Sequence, residues 1–213
     1  MKKKSLALVL ALAMIVVCVV GGTLAWLIAT TPEVKNTFTV GNVAITLDEA
    51  KATDDGTLVP NADRVKANSY KLLPGHTYNK DPMVTVKAGS ESSYVKMTVT
   101  FTKAAELDAI FAPTGADMTS IFNGYNSANW IYMGNTEDTA NNTRTYEFWY
   151  KDTVEALNAD VALDALFDSI TVPGGIKNDQ LKTIEGMTIT VNAYAIQADS
   201  FENAEAAWAA YKG

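Results

Sequence analysis

Beyond residue 40, apolar and polar side chains alternate in short runs, and this two-residue period predicts half-buried strands. Residues 36–48 carry Val43, Ile45 and Leu47 on one face, with Ala44, Thr46 and Asp48 on the other. Residues 83–88 place Val84 and Val86 together. In residues 94–103 Val95, Met97, Val99 and Phe101 alternate with Lys96, Thr98, Thr100 and Thr102, which predicts one buried face and one wet face. Residues 128–133 and 143–151 read as a hairpin around the polar stretch 134–142. A further strand is expected over 166–172, ended by Pro173-Gly174-Gly175, and a last and longest one over 187–198.

Helical patterning is confined to three short stretches. Residues 104–111 form one, followed by Pro113, and residues 178–184 form one or two turns. Residues 200–212 are rich in alanine, with Ser200 as the expected N-cap and Phe201, Trp208 and Tyr211 along one stripe. Many short strands with turn punctuation predict an all-β protein. The expected fold is a jelly-roll-like antiparallel β-sandwich with short helical decorations and a C-terminal helix.

The chain starts differently. Lys2, Lys3 and Lys4 form a basic head and residues 5–20 an apolar core. Gly21-Gly22 leads to Thr23 and Ala25 at the −3 and −1 positions of a cleavage site, which puts Trp26 at the new N-terminus. This is the layout of a secretory signal over 1–25. It predicts a secreted protein, located in the extracellular matrix or on the cell surface. A retained anchor competes with it, because no charge falls between Lys4 and Glu33, a stretch longer than the ~20 residues a spanning helix needs. A lipoprotein signal at Cys18 is disfavoured by the bulky Val17 before it. Residues 26–40 then form a free N-terminal segment, and 41–213 a single β-sandwich domain.

Charge and cysteine usage narrow the classes. The chain has 17 basic and 24 acidic residues, and loss of the leader's three lysines makes it more acidic still, which argues against nucleic acid as a partner. Its one cysteine, Cys18, lies in the leader, so the mature part has no thiol for a disulfide or a metal. Stability must come from an apolar core.

Catalytic signals are sparse, and no catalytic, cofactor-binding or metal site is expected. His76 is the one histidine and lies in the turn Leu73-Pro74-Gly75-His76-Thr77, so neither a paired-histidine zinc site nor a G-x-S-x-G nucleophile is available. Asp54-Asp55-Gly56 reads as a turn rather than a calcium loop. Trp130, Tyr132, Tyr146, Phe148, Trp149 and Tyr150 cluster on the hairpin, as core pairs or as a sugar-binding platform. Residues 29–38 are polar, β-prone and free of helical pattern. Such a segment can pack as its own first strand or add to the sheet of a neighbour.

Gly21-Gly22-Thr23-Leu24-Ala25-Trp26, followed by Asn36-Thr37-Phe38-Thr39-Val40-Gly41-Asn42-Val43, resembles the N-terminus of the TasA/camelysin family of secreted Gram-positive proteins. Leu73-Pro74-Gly75-His76-Thr77-Tyr78-Asn79-Lys80 is similar to that family's turn opening a strand, and residues 189–198 resemble its C-terminal strand. The resemblance covers both ends and is vague over roughly 104–164. It implies a jelly-roll fold, processing by a signal peptidase during export, and biofilm-matrix fibres in which each N-terminal segment completes the sheet of the next subunit. The partner is then a second copy or a paralogous matrix subunit. Carried over by position, the donor strand includes Trp26, Ile28, Val34 and Phe38, with Pro32 placed where its missing amide breaks no ladder. A camelysin-like metallopeptidase and a non-polymerising surface or carbohydrate-binding module are the alternatives, the first hard to reconcile with a lone His76.

Overall fold

The structure, a computed structural model, describes residues 41–111 and 121–211. The cleavage-site residues Thr23, Ala25 and Trp26, and the donor residues Ile28, Val34 and Phe38, lie outside the described residues.

Among the described residues, eleven short strands and three short helices follow one another. They are β1 (Ile45–Asp48), β2 (Thr77–Asn79), β3 (Met83–Val86), β4 (Ser90–Thr102), α1 (Ala104–Phe111), β5 (Phe122–Asn123), β6 (Trp130–Asp138) and β7 (Thr143–Tyr150). After them come β8 (Val154–Ala156), β9 (Val161–Ala162), β10 (Ser169–Thr171), α2 (Asn178–Thr183), β11 (Ile189–Gln197) and α3 (Ala204–Ala210). The protein is therefore mostly antiparallel β-sheet with a few short helices. Sheets of order β1-β3-β9 and β2-β10-β5 accompany a larger one of order β11-β4-β7-β6, in which β8 also pairs with β4.

β4 is the organising strand. It runs for 13 residues, longer than the nine of β11, which reverses the expected order of lengths. β11 pairs with it from Ser93 to Phe101 on one side, while on the other β8 pairs near Ser90 and Ser93 and β7 takes over from Lys96 onward. Val95, Met97, Val99 and Phe101 face inward at no more than 1% exposure. Tyr146 and Phe148 of β7 share this face. Phe122 packs between them and the second layer, 5.5 Å from Tyr146 and 4.5 Å from Phe167 between ring centres. Val84, Val86, Leu163, Leu166 and Ile170 complete one continuous core.

The outer face of β4 is not simply wet. Lys96 lies beneath the rings of Tyr194, Trp208 and Tyr211, so α3 and β11 cover it. The cap of α3 is Asn203, whose side chain accepts from the Ala206 N–H at 2.9 Å, rather than Ser200. The helix starts later than its alanine content suggests because Phe201 is held in a turn onto the Ala198 carbonyl.

The hairpin turn is also shorter than composition implies. β6 continues to Asp138, with a bulge between Tyr132 and Gly134, and only residues 139–142 turn. As an edge strand, β6 tolerates polar residues on both faces.

Candidate functional site

A groove of about 810 Å3 on the described surface lies between sheet edges. Residues 68–72 form one wall. The chain there belongs to a long excursion, 49–76, that makes no strand and only two isolated bridges, Glu49 to Val65 and Ala52 to Leu58. Buried Ile170 and Val172, at and just after β10, line the groove with buried Ile184 after α2 and Phe111 at the end of α1. Leu181, Met187 and Ile189 carry the lining to the start of β11. Both neighbouring strands sit at the edges of their sheets: β2 ends one sheet and β11 ends the other.

Two tyrosines shape the wall. Tyr70 packs edge-on against Tyr78 at 5.4 Å. The Tyr78 hydroxyl accepts from the Leu73 N–H and donates to the Lys71 carbonyl, so it pins the excursion where it borders the groove. The Tyr70 hydroxyl donates to the Asn79 carbonyl at 2.6 Å. Burial, with the nearby Glu49 charge, pushes the Tyr70 phenol well above its ordinary value and keeps it a neutral donor. The arrangement is an apolar, strand-sized trough with polar groups at its margin: Lys80, Lys182, Glu185 and Asn68.

A polar network staples the excursion down. Arg64 bridges Asp48 and Asp81 at 2.5 and 2.9 Å and also donates to the Asp48 and Asp81 carbonyls. The Asp81 carboxylate accepts from the Ala50 N–H, and Lys80 reaches Glu49 at 2.5 Å with both side chains almost fully buried. Asp48-Glu49 reads as an acidic pair in the sequence and Lys80 closes the 73–80 turn motif, but nothing there marks their partners, nor Arg64 or Asp81. A two-residue alternation does not reveal a charge partner 31 positions away.

The residues weighed for chemistry are dispersed. His76 is exposed in its turn, with its ring 6.4 Å from Tyr78. The Asp55 carboxyl is held below its ordinary value, first by the Thr53 hydroxyl and then by the Thr57 N–H, as a turn residue is. Among the described residues no group of three His, Cys, Asp or Glu is placed to hold a metal ion. The hairpin aromatics do not form a flat exposed platform. Trp130, Tyr146 and Phe148 are core, and the Trp130 indole donates to the Asp164 carbonyl. Trp149 lies against Trp208 at 6.3 Å, and its indole donates to Glu147. Among the described residues no helix is long and apolar enough to cross a membrane.

No protein-family model, curated protein or solved structure matches the chain.

Proposed function

We propose that this is a secreted structural protein that builds extracellular matrix fibres on a jelly-roll-like sandwich. The segment 26–40, freed by removal of the leader, adds as a strand to the groove of the next copy or of a paralogous subunit. The observation that carries this reading is the apolar groove between edge strand β11 and the wall at 68–72. Edge strands offer unpaired backbone donors and acceptors, and an extended segment satisfies them while its alternate side chains enter the trough. A segment leaving one copy and entering a second makes a head-to-tail contact that does not close on itself, and its repetition is a filament.

The chain beginning at Trp26 is expected to form fibres visible by electron microscopy, while a version beginning at Gly41 stays monomeric. Added to the longer form, the truncated version accepts a segment but cannot donate one, so it shortens the fibres. Equal polymerisation by both versions, or none by either, removes the donor role of 26–40.

A further inference from the structure

Glu49 follows β1 and is 4% exposed, and each oxygen of its carboxylate holds one nitrogen. Oε2 accepts from the Nζ of Lys80 at 2.5 Å, and Lys80 is itself 8% exposed. Oε1 accepts from the Nδ2 of Asn68 at 3.0 Å. The carboxamide of Asn68 is fixed on its other side as well. Its Oδ1 accepts from the Ala52 N–H at 2.9 Å, and its Nδ2 donates a second time, to the Ala50 carbonyl. Paired backbone bonds between Glu49 and Val65 hold the two stretches together.

A buried ion pair is weak evidence of stabilisation, since desolvation offsets the Coulombic gain unless every donor is satisfied. Lys80 brings three donors, and among the described residues Glu49 is the side-chain partner it has. The same three groups form a reactive set: an amine, a carboxamide carbon whose oxygen already receives a backbone N–H, and a carboxylate touching both nitrogens. Nothing in the fibre reading uses them.

We propose that Lys80 and Asn68 join in an intramolecular isopeptide bond, with Glu49 as the proton carrier. Nζ passes a proton to Oε2 and attacks the side-chain carbonyl carbon of Asn68. The new N–C bond places negative charge on Oδ1, where the Ala52 N–H stabilises it. Glu49 delivers its proton to Nδ2 through Oε1 and takes the second proton from Nζ. The C–Nδ2 bond breaks and ammonia leaves, picking up that proton as ammonium. A primary ammonium and a primary amide become a secondary amide and ammonium, with no change of oxidation state and no co-reactant. The bond ties the groove wall at 68–72 covalently to the end of β2, where thiol-free sequence offers no disulfide.

Tryptic mapping of the purified full chain tests this directly. Residues 67–71 are expected to emerge branched onto residues 72–87, with the pair lighter by one ammonia and trypsin no longer cutting after Lys80. The Glu49→Gln protein keeps the shape of the side chain but cannot carry the proton, and should yield the separate linear peptides. Linear peptides throughout the wild-type digest overturn the cross-link, whatever the variant does. An equal yield of branched peptide from Glu49→Gln overturns the role of Glu49.

Discussion

The Nζ of Lys96 lies 4.8 Å from the centre of the Trp208 ring, with the rings of Tyr194 and Tyr211 each 5.6 Å away. Lys96 also reaches Glu147 at 3.4 Å, so one cation on the outer face of β4 gathers β7, β11 and α3. This is how a helix of only seven residues stays docked.

Trp208→Ala is expected to destabilise the protein by about 3 kcal/mol, because it empties a well-covered aromatic site. The indole nitrogen of Trp208 is buried with no hydrogen-bond partner among the described residues, so Trp208→Phe should cost far less, about 1 kcal/mol. Lys96→Met keeps the stem but not the charge, and should cost about 1–2 kcal/mol. Urea unfolding measures all three. Equal losses for Phe and Ala at position 208 would show that the ring is not what holds α3.

Gly56 cannot be replaced cheaply. Its φ is +86°, and a Cβ there would stand 2.6 Å from the Cα of Tyr78 and 2.7 Å from the Thr77 carbonyl oxygen. Gly56→Ala therefore combines left-handed strain with a clash against backbone, and is expected to cost at least about 2 kcal/mol. Thermal unfolding checks it. A wild-type midpoint would mean that the excursion over 49–76 moves freely past β2.

Arg144 faces inward from β7 at 6% exposure, holds Asp108 through two nitrogens at 2.5 and 2.7 Å, and also binds Glu137. The hydrogen bonds to Asp108 favour its charged form first and foremost. Arg144→Lys loses this two-pronged geometry and is expected to destabilise by about 2 kcal/mol, with α1 losing hydrogen-exchange protection ahead of the sheets. Uniform loss of protection would count against a local role.

Alkaline stability rests on buried and half-buried phenols. Desolvation raises Tyr70, Tyr78, Tyr125, Tyr146 and Tyr150 above the ordinary value of 10.0. Their neutral forms are favoured in the folded state, so this stability is complete below pH 10 and is lost as pH rises through the folded values. Tyrosinate absorbance should therefore lag behind that of free tyrosine and then climb together with unfolding. A titration centred at the free value with the fold intact would contradict the burial of these rings.

Within the fibre reading, Ser69→Asp places a charge on the groove wall at an exposed position outside the core. It should abolish fibres while leaving the circular dichroism spectrum unchanged. Val34→Asp in the donor segment should reduce fibre yield in the same way. Normal fibres from both variants would remove the apolar trough from the assembly.

Alternation alone marked the inner face of β4 and of β3, and helical spacing marked α1 with its full span of Ala104–Phe111. These features are local. A buried face needs every second residue apolar, and eight residues of helix-forming side chains suffice for a short helix that packs on a core. The hairpin aromatics divide between core and outer face by the same alternation, Tyr146 and Phe148 inward and Trp149 outward.

Only tertiary structure decided the course of residues 49–76, the groove beside them and the Glu49–Lys80–Asn68 cluster. The excursion has no periodicity because partners distant in the chain, not a repeating face, fix it: Asp81 for Arg64, Lys80 for Glu49, Tyr78 for the backbone at Lys71 and Leu73. Charge pairing depends on where the chain returns, and a sequence period carries no such information. The covering of Lys96 by α3 has the same origin, since a polar residue on an alternating strand reads as solvent-facing until a later helix folds across it.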